Sequence, residues 1–312
     1  MKVLFFLLFA LWLWADVITP YATLKTNGAI SDMVIVKGKL YASTDEGIIN
    51  VFDAKIHKKL SSIELPKIKD DKGVAFRPKI YSMDHLDGST VIAAESGGEF
   101  RDIYLHNHGT LTKIADSRLG LMVKKVRFLD AGHILMGLSS DTIVAMDLVS
   151  KKILYKVQAG GGVFSDMELS DFKDFVAVGD ESGEIVMMRT DTGKIVKTLR
   201  GINLDAINRL DYASNTIIAG GHDRRVGVYR KGGSYFIDTE FFAYAVGLNS
   251  DATLGVYSDG EENELQLIEI ATQKKLARFK GGEVIYDRLL FVDKHTLIGC
   301  GEENKIYYWR IP

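Results

Sequence analysis

The sequence predicts an all-β fold, a seven-bladed propeller whose last blade is closed by the N-terminal strand. Three observations predict it. A four-strand unit returns every 40 to 51 residues, and no segment of ten residues keeps the apolar period of a helix. The seventh unit lacks its fourth strand, while one strand is left over near the start of the chain.

The chain opens on Met1-Lys2 and an unbroken apolar run from Val3 to Trp14, followed by Ala15 and Asp16. Twelve residues at ~1.5 Å rise reach ~18 Å, well short of a hydrocarbon core of ~30 Å. Residues 1–15 therefore read as a signal peptide cleaved after Ala15, with a retained N-terminal anchor as the alternative. The mature domain is expected to be residues 16–312, in the periplasm, with no stable membrane anchor. Cys300 is the only cysteine, so no internal disulfide is available. Its apolar setting, Leu297-Ile298-Gly299-Cys300, reads as a buried small hydrophobe.

The first unit shows the pattern. Strands are expected over residues 31–36, 39–44, 48–53 and 60–65, separated by the turns Lys37-Gly38 and Asp45-Glu46-Gly47. The second strand and its following turn recur around Val91–Gly98, Ile134–Asp141, Phe175–Gly183, Ile217–Asp223, Leu254–Gly260 and Leu297–Asn304. Turns at positions 47, 98, 141, 183, 223, 263 and 304 are spaced by 51, 43, 42, 40, 40 and 41 residues. The seventh unit stops after Lys305–Ile311. Residues 17–26 supply the strand that completes it and leaves no sheet edge open.

Small apolar residues in the second strand and an acidic turn before the third make the chain resemble the WD40 family. Phe52-Asp53, Met146-Asp147 and Trp309-Arg310 approach that family's Trp-Asp ending. The resemblance implies that these turns and the inter-blade connections share one face, ringed by Asp45, Glu46, Glu95, Asp141, Asp180, Glu181, Asp223, Asp259, Glu302 and Glu303. Most of these acids are expected to cap backbone N–H groups and tie blades together. More finely, the chain resembles the L-type accessory proteins of periplasmic nitrate reductase clusters (NapL). The residues behind this are Pro20-Tyr21-Ala22-Thr23-Leu24, Ile30-Ser31-Asp32-Met33, Tyr41-Ala42-Ser43-Thr44-Asp45-Glu46-Gly47 and Phe100-Arg101-Asp102-Ile103-Tyr104. That likeness implies support for a molybdenum enzyme and no reaction of the chain's own.

Signatures of chemistry are missing from the sequence. It has no Cys-x-x-Cys-His, no His-Glu-x-x-His and no Gly-x-Ser-x-Gly. His106 and His108 fall short of the three or four ligands of zinc, and Asp259–Glu264 lacks the ligand spacing of an EF-hand loop. No catalytic, cofactor-binding or metal-binding residue is expected, and no cofactor. Lys and Arg total 39 against 41 Asp and Glu, a net charge of −2, which leaves no basic excess for nucleic acid.

Two features remain. The long first step adds residues 66–78, where Phe76 and Arg77 combine residue types favoured at interface centres. Aligning the innermost strands places Asp32, Ser82, Lys125, Asp166, Arg209, Ala245 and Arg288 in one column around the channel mouth. The charged members, Asp32, Lys125, Asp166, Arg209 and Arg288, could hold a small anion or a partner's charged side chain, or could pair with one another and fix blade packing. Arg101, Arg224 and Arg225 occupy adjoining turns. The expected role is a monomeric, non-enzymatic scaffold that contacts a protein partner through Phe76, Arg77, Arg101, Arg224, Arg225 and the mouth. The partner would be nitrate reductase subunits or maturation factors. The alternatives are an envelope-assembly scaffold and a metal-dependent propeller hydrolase or lactonase.

Overall fold

Seven antiparallel sheets follow one another along the chain, each begun by a strand at the centre of a ring and ended by one at the rim. The computed structural model describes residues 17–260 and 262–312. The expected signal segment, residues 1–15, lies outside the described residues.

Blade one comprises Ile30–Val36, Lys39–Thr44, Ile48–Asp53 and Lys59–Glu64, paired in that order. Blades two to five repeat the order, with inner strands Ile80–Leu86, Val123–Asp130, Phe164–Leu169 and Ile207–Ala213. The inner strand of blade six is the short Val246–Leu248, and that of blade seven is Arg288–Asp293. Second and third strands are mostly apolar because both faces are covered by neighbouring blades, whereas the inner strands mix apolar and charged residues. Rim strands such as Lys59–Glu64 alternate or are exposed throughout. Among the described residues the only helix is a 3-10 turn, Ser117–Leu119, and no helix is long and apolar enough to cross a membrane.

The core is divided rather than central. Buried apolar side chains fall into seven clusters, one between each pair of adjacent blades. The cluster between blades six and seven is the most aromatic, with Phe279, Tyr286, Tyr307 and Trp309 packed at centroid separations of 5.5–6.1 Å. Cys300 lies wholly buried in the cluster between blades seven and one, and burial pushes its thiol well above the ordinary value.

The closing strand is present but differs from the single segment expected over residues 17–26. Ala22–Lys25 pairs antiparallel with Lys305–Arg310, matching Ala22 to Tyr308, and completes blade seven. Val17–Ile18 is a separate piece that runs parallel to the rim strand of blade six, Lys275–Lys280. Pro20 sits between the two and has no N–H to give a continuous ladder, so the chain steps from one blade to the next there.

Candidate functional site

The top of the ring is the face that carries the second-to-third-strand turns. Each turn is knitted to the connection that leads into its own blade: Asp45 N donates to Ala29 O, Glu95 N to Lys79 O, Glu181 N to Val163 O and His222 N to Ala206 O. The turns and the inter-blade connections therefore share one face, as the WD40 likeness implies. The turn acids act as the expected caps at five blades. Asp45 accepts from Ala29 N at 2.8 Å, Glu95 from Lys79 N at 3.1 Å and Asp180 from Gly162 N at 3.3 Å. Asp223 accepts from Leu204 N at 2.7 Å and Asp259 from Glu240 N at 3.0 Å.

Asp141 breaks that pattern. Its residue has a left-handed backbone, φ +56°, and its carboxylate turns towards the next connection, Gly160-Gly161-Gly162. Oδ2 of Asp141 and Oδ2 of Asp180 lie equally close, 2.7 Å, to the point where a Cβ on Gly160 would stand. Asp141 is 1% exposed, and its Oδ1 has no hydrogen-bond partner. Burial, reinforced by the Asp180 charge, pushes its carboxyl up to about 7.

The column of inner-strand residues comes together around the channel as the alignment places it, and its charges pair with one another. Asp32 sits below the mouth, 1% exposed. It accepts from Ser82 Oγ at 2.7 Å and meets Arg127 at 3.2 Å and Arg288 at 3.4 Å. Burial alone would raise the Asp32 carboxyl, but Arg127, Arg288 and Lys125 outweigh it and hold it well below the usual carboxylate range. Lys125 bonds Asp166 at 2.7 Å and also engages Glu168. Asp166 is likewise held low, its burial outweighed by Lys125, Arg209 and Arg288.

A second tier lies one pleat deeper, because residues two apart on a strand face the same way. It contains Asp84, Arg127, Glu168 and Asp211. Carboxylates from both tiers reach the backbone of the next blade: Asp32 accepts from Met83 N, Asp84 from Phe128 N, Asp166 from Leu210 N and Asp211 from Leu248 N, at 2.7–3.2 Å. Burial and the neighbouring Glu168 push Asp211 up to about 6. Blade six contributes only Ala245 and Gly247 to the two tiers. A Cβ on Gly247 would meet Leu289 O at 2.8 Å, so blade seven's backbone approaches here. Arg209 spans the gap, donating from Nε to Asp287 O at 3.0 Å. The column thus fixes blade packing, and the space among these charges is only about 40 Å³.

The open volume lies above. A mouth cavity of about 510 Å³ is floored by Lys125, Asp166, Arg209 and Arg288 of the column and walled by Lys79, Tyr81, Lys124, Ser165, Asp45, Asp287 and Glu302. Arg101 lies beside it, its guanidinium 3.8 Å above the centre of the Tyr81 ring, with Lys79 Nζ 5.6 Å from the same centre. A second cavity of about 510 Å³ shares Arg209, Asp287 and Glu302 with the mouth and adds Tyr244, Glu283, Val284 and Ile285. A third, about 230 Å³, shares Tyr244 and Ile285 and adds Phe241 and Phe242. The three form one trough across the top face.

The remaining expected contact residues are scattered. Residues 66–78 form a small hairpin, Ile68–Lys69 with Ala75–Phe76, placed so that a Cβ on Gly97 of blade two would meet Lys69 O at 2.7 Å. Phe76 is half-buried and Arg77 pairs with Glu64 at 3.3 Å. Arg224 is exposed in blade five's turn, and Arg225 stacks 4.1 Å over Phe236. His106 and His108 are not on one strand face: the strand ends at Asn107, and His108 lies in the turn with φ +46°.

No family model matches the chain, and no curated protein matches it. Among solved structures it is similar to the β-propeller domain of Cps50 (Swd1) from Myceliophteria thermophila, with a TM-score of 0.75 and 11% identity over 94% of this chain and 99% of that one. A likeness at that identity is one of fold. With the seven sheets and the shared top face, it gives this chain the WD40-like seven-bladed β-propeller fold.

Proposed function

We propose that the chain is a non-enzymatic scaffold of the periplasm that binds a protein partner on its top face, supporting the maturation or electron supply of a periplasmic nitrate reductase. The observation that carries the scaffold reading is the division of the channel into two levels. Below, the charged groups are paired with one another and serve blade packing. Above, an open trough of aromatic and charged side chains lies on a rigid frame. The propeller fold is consistent with a role in protein interaction. Asp32 and Asp166, the carboxylates a propeller hydrolase would turn to a metal, instead face guanidinium and ammonium groups. The nitrate reductase assignment rests on the sequence resemblance, and the periplasm on the apolar N-terminal run.

Crosslinking in whole cells followed by capture of the chain tests both parts. The expected result is a nitrate reductase subunit or maturation factor among the crosslinked proteins, with slower nitrate reduction in a deletion strain. Capture without any such protein, together with undiminished nitrate reduction, would overturn the assignment.

A further inference from the structure

The trough has a direction written in its charges. At its blade two and three end stand Lys79, Lys124 and Arg101 around Tyr81. Lys79 and Lys124 are exposed and make no ion pair among the described residues. Glu283 and Glu302, also exposed, flank the middle on the blade seven side. At the blade six end Phe242 stacks on His222 and packs tilted against Phe241, each at 4.8 Å between centroids, and meets Tyr244 edge-on at 6.0 Å. Ile285 completes that end with 55% of its surface exposed. The aromatic end is preformed: Ser258 Oγ accepts from Tyr244 N at 2.9 Å and from Ala245 N at 3.1 Å.

A small metabolite would fill only one part of this trough. An extended polypeptide fits its run across three joined cavities and its alternation of chemistry. Charge complementarity then fixes the orientation: an acidic side chain belongs against Lys79, Lys124 and Tyr81, away from Glu283 and Glu302, with a large apolar side chain at the far end. Resting on the scaffold reading, we infer that the trough binds an extended segment of the partner that carries an acidic residue and, a few residues away, an aromatic one. The acid lies on the basic rim of blades two and three and the aromatic ring between Phe242, Tyr244 and Ile285.

Fluorescence anisotropy with four short labelled peptides tests this: acid with aromatic, acid alone, aromatic alone, and base with aromatic. The first is expected to bind about tenfold more tightly than any other and to weaken as salt is raised. The double variant Lys79→Glu, Lys124→Glu is expected to lose about tenfold for it and to prefer the basic peptide. Ile285→Asp is expected to lose the advantage of the aromatic while keeping the salt dependence. All three positions are exposed, and an unchanged melting temperature reports that the variants fold. Equal binding of all four peptides, tightest binding of the basic one, or no saturable binding by any overturns the inference. In that case a crosslinked nitrate reductase subunit would still leave the scaffold reading standing. Selective peptide binding without such a subunit would retire the nitrate reductase assignment and keep the trough.

Discussion

Asp141→Asn is expected to stabilise the protein at pH 8 and to flatten its stability between pH 4 and 7. Burial and the nearby Asp180 raise the Asp141 carboxyl from 3.8 to about 7 in the folded protein. The folded chain therefore keeps a proton that the unfolded chain has released, and stability must fall as pH rises through this window. The contribution is fully present below about pH 4, where both states hold the proton. It is lost progressively up to about 7 and stays lost above. At ~1.4 kcal/mol per pH unit the whole shift sets a ceiling of ~4 kcal/mol. Solvent screening discounts that ceiling, and ~1–2 kcal/mol is expected. Asparagine reproduces the protonated carboxyl in shape and tolerates the left-handed φ at this position. Urea melts of both proteins across the pH range, compared as a difference, cancel the titration of the other acids. A difference that is flat with pH, or a variant less stable than the parent at pH 8, would refute the reasoning.

Other expectations follow from the same geometry. Asp32→Ala leaves Arg127 and Arg288 buried without their shared carboxylate and should destabilise by ~3–5 kcal/mol in urea melts, whereas Ser82→Ala removes one hydroxyl and should cost ~1 kcal/mol. Removing residues up to Lys25 opens the edge of Lys305–Arg310, so the melting temperature should drop and light scattering should rise with concentration. Cys300 should stay unreactive towards an aromatic disulfide reagent at neutral pH and react only as the protein unfolds; rapid reaction of the native protein would contradict its burial.

Most of the architecture is legible in the sequence because a propeller repeats its reasons. Each blade needs the same apolar second strand and the same turn, so one clear copy, residues 31–65, teaches the reader to find the rest. The column from Asp32 to Arg288 is legible for the same cause. Its second tier was open to the same arithmetic: two residues beyond Ser82, Lys125, Asp166 and Arg209 stand Asp84, Arg127, Glu168 and Asp211. Strand alternation alone puts them in the channel, one pleat below the column.

The trough was harder to foresee. Lys79, Lys124, Phe242 and Ile285 all lie in connections or at strand starts, whose lengths vary and which carry no period to align. Phe241 and Phe242 did offer a signal, two adjacent rings in a connection where only one face can be covered. The turn acids read well as caps at five blades, but Asp141 depends on the direction of a single side chain, and no pattern of residue types encodes that.

The rung that joins Ala22 to Tyr308 also sets a timetable. A ribosome delivers the early strand long before its partner exists, so the circle stays unlatched until Lys305–Arg310 has been made. Any product stalled short of Lys305 must carry a raw, hydrogen-bonding margin, which distinguishes it chemically from the finished molecule. The making of Lys305–Arg310 and the concealment of that margin are the same event, so a protease that attacks unpaired strands would remove shorter fragments and spare closed rings without any dedicated recognition tag.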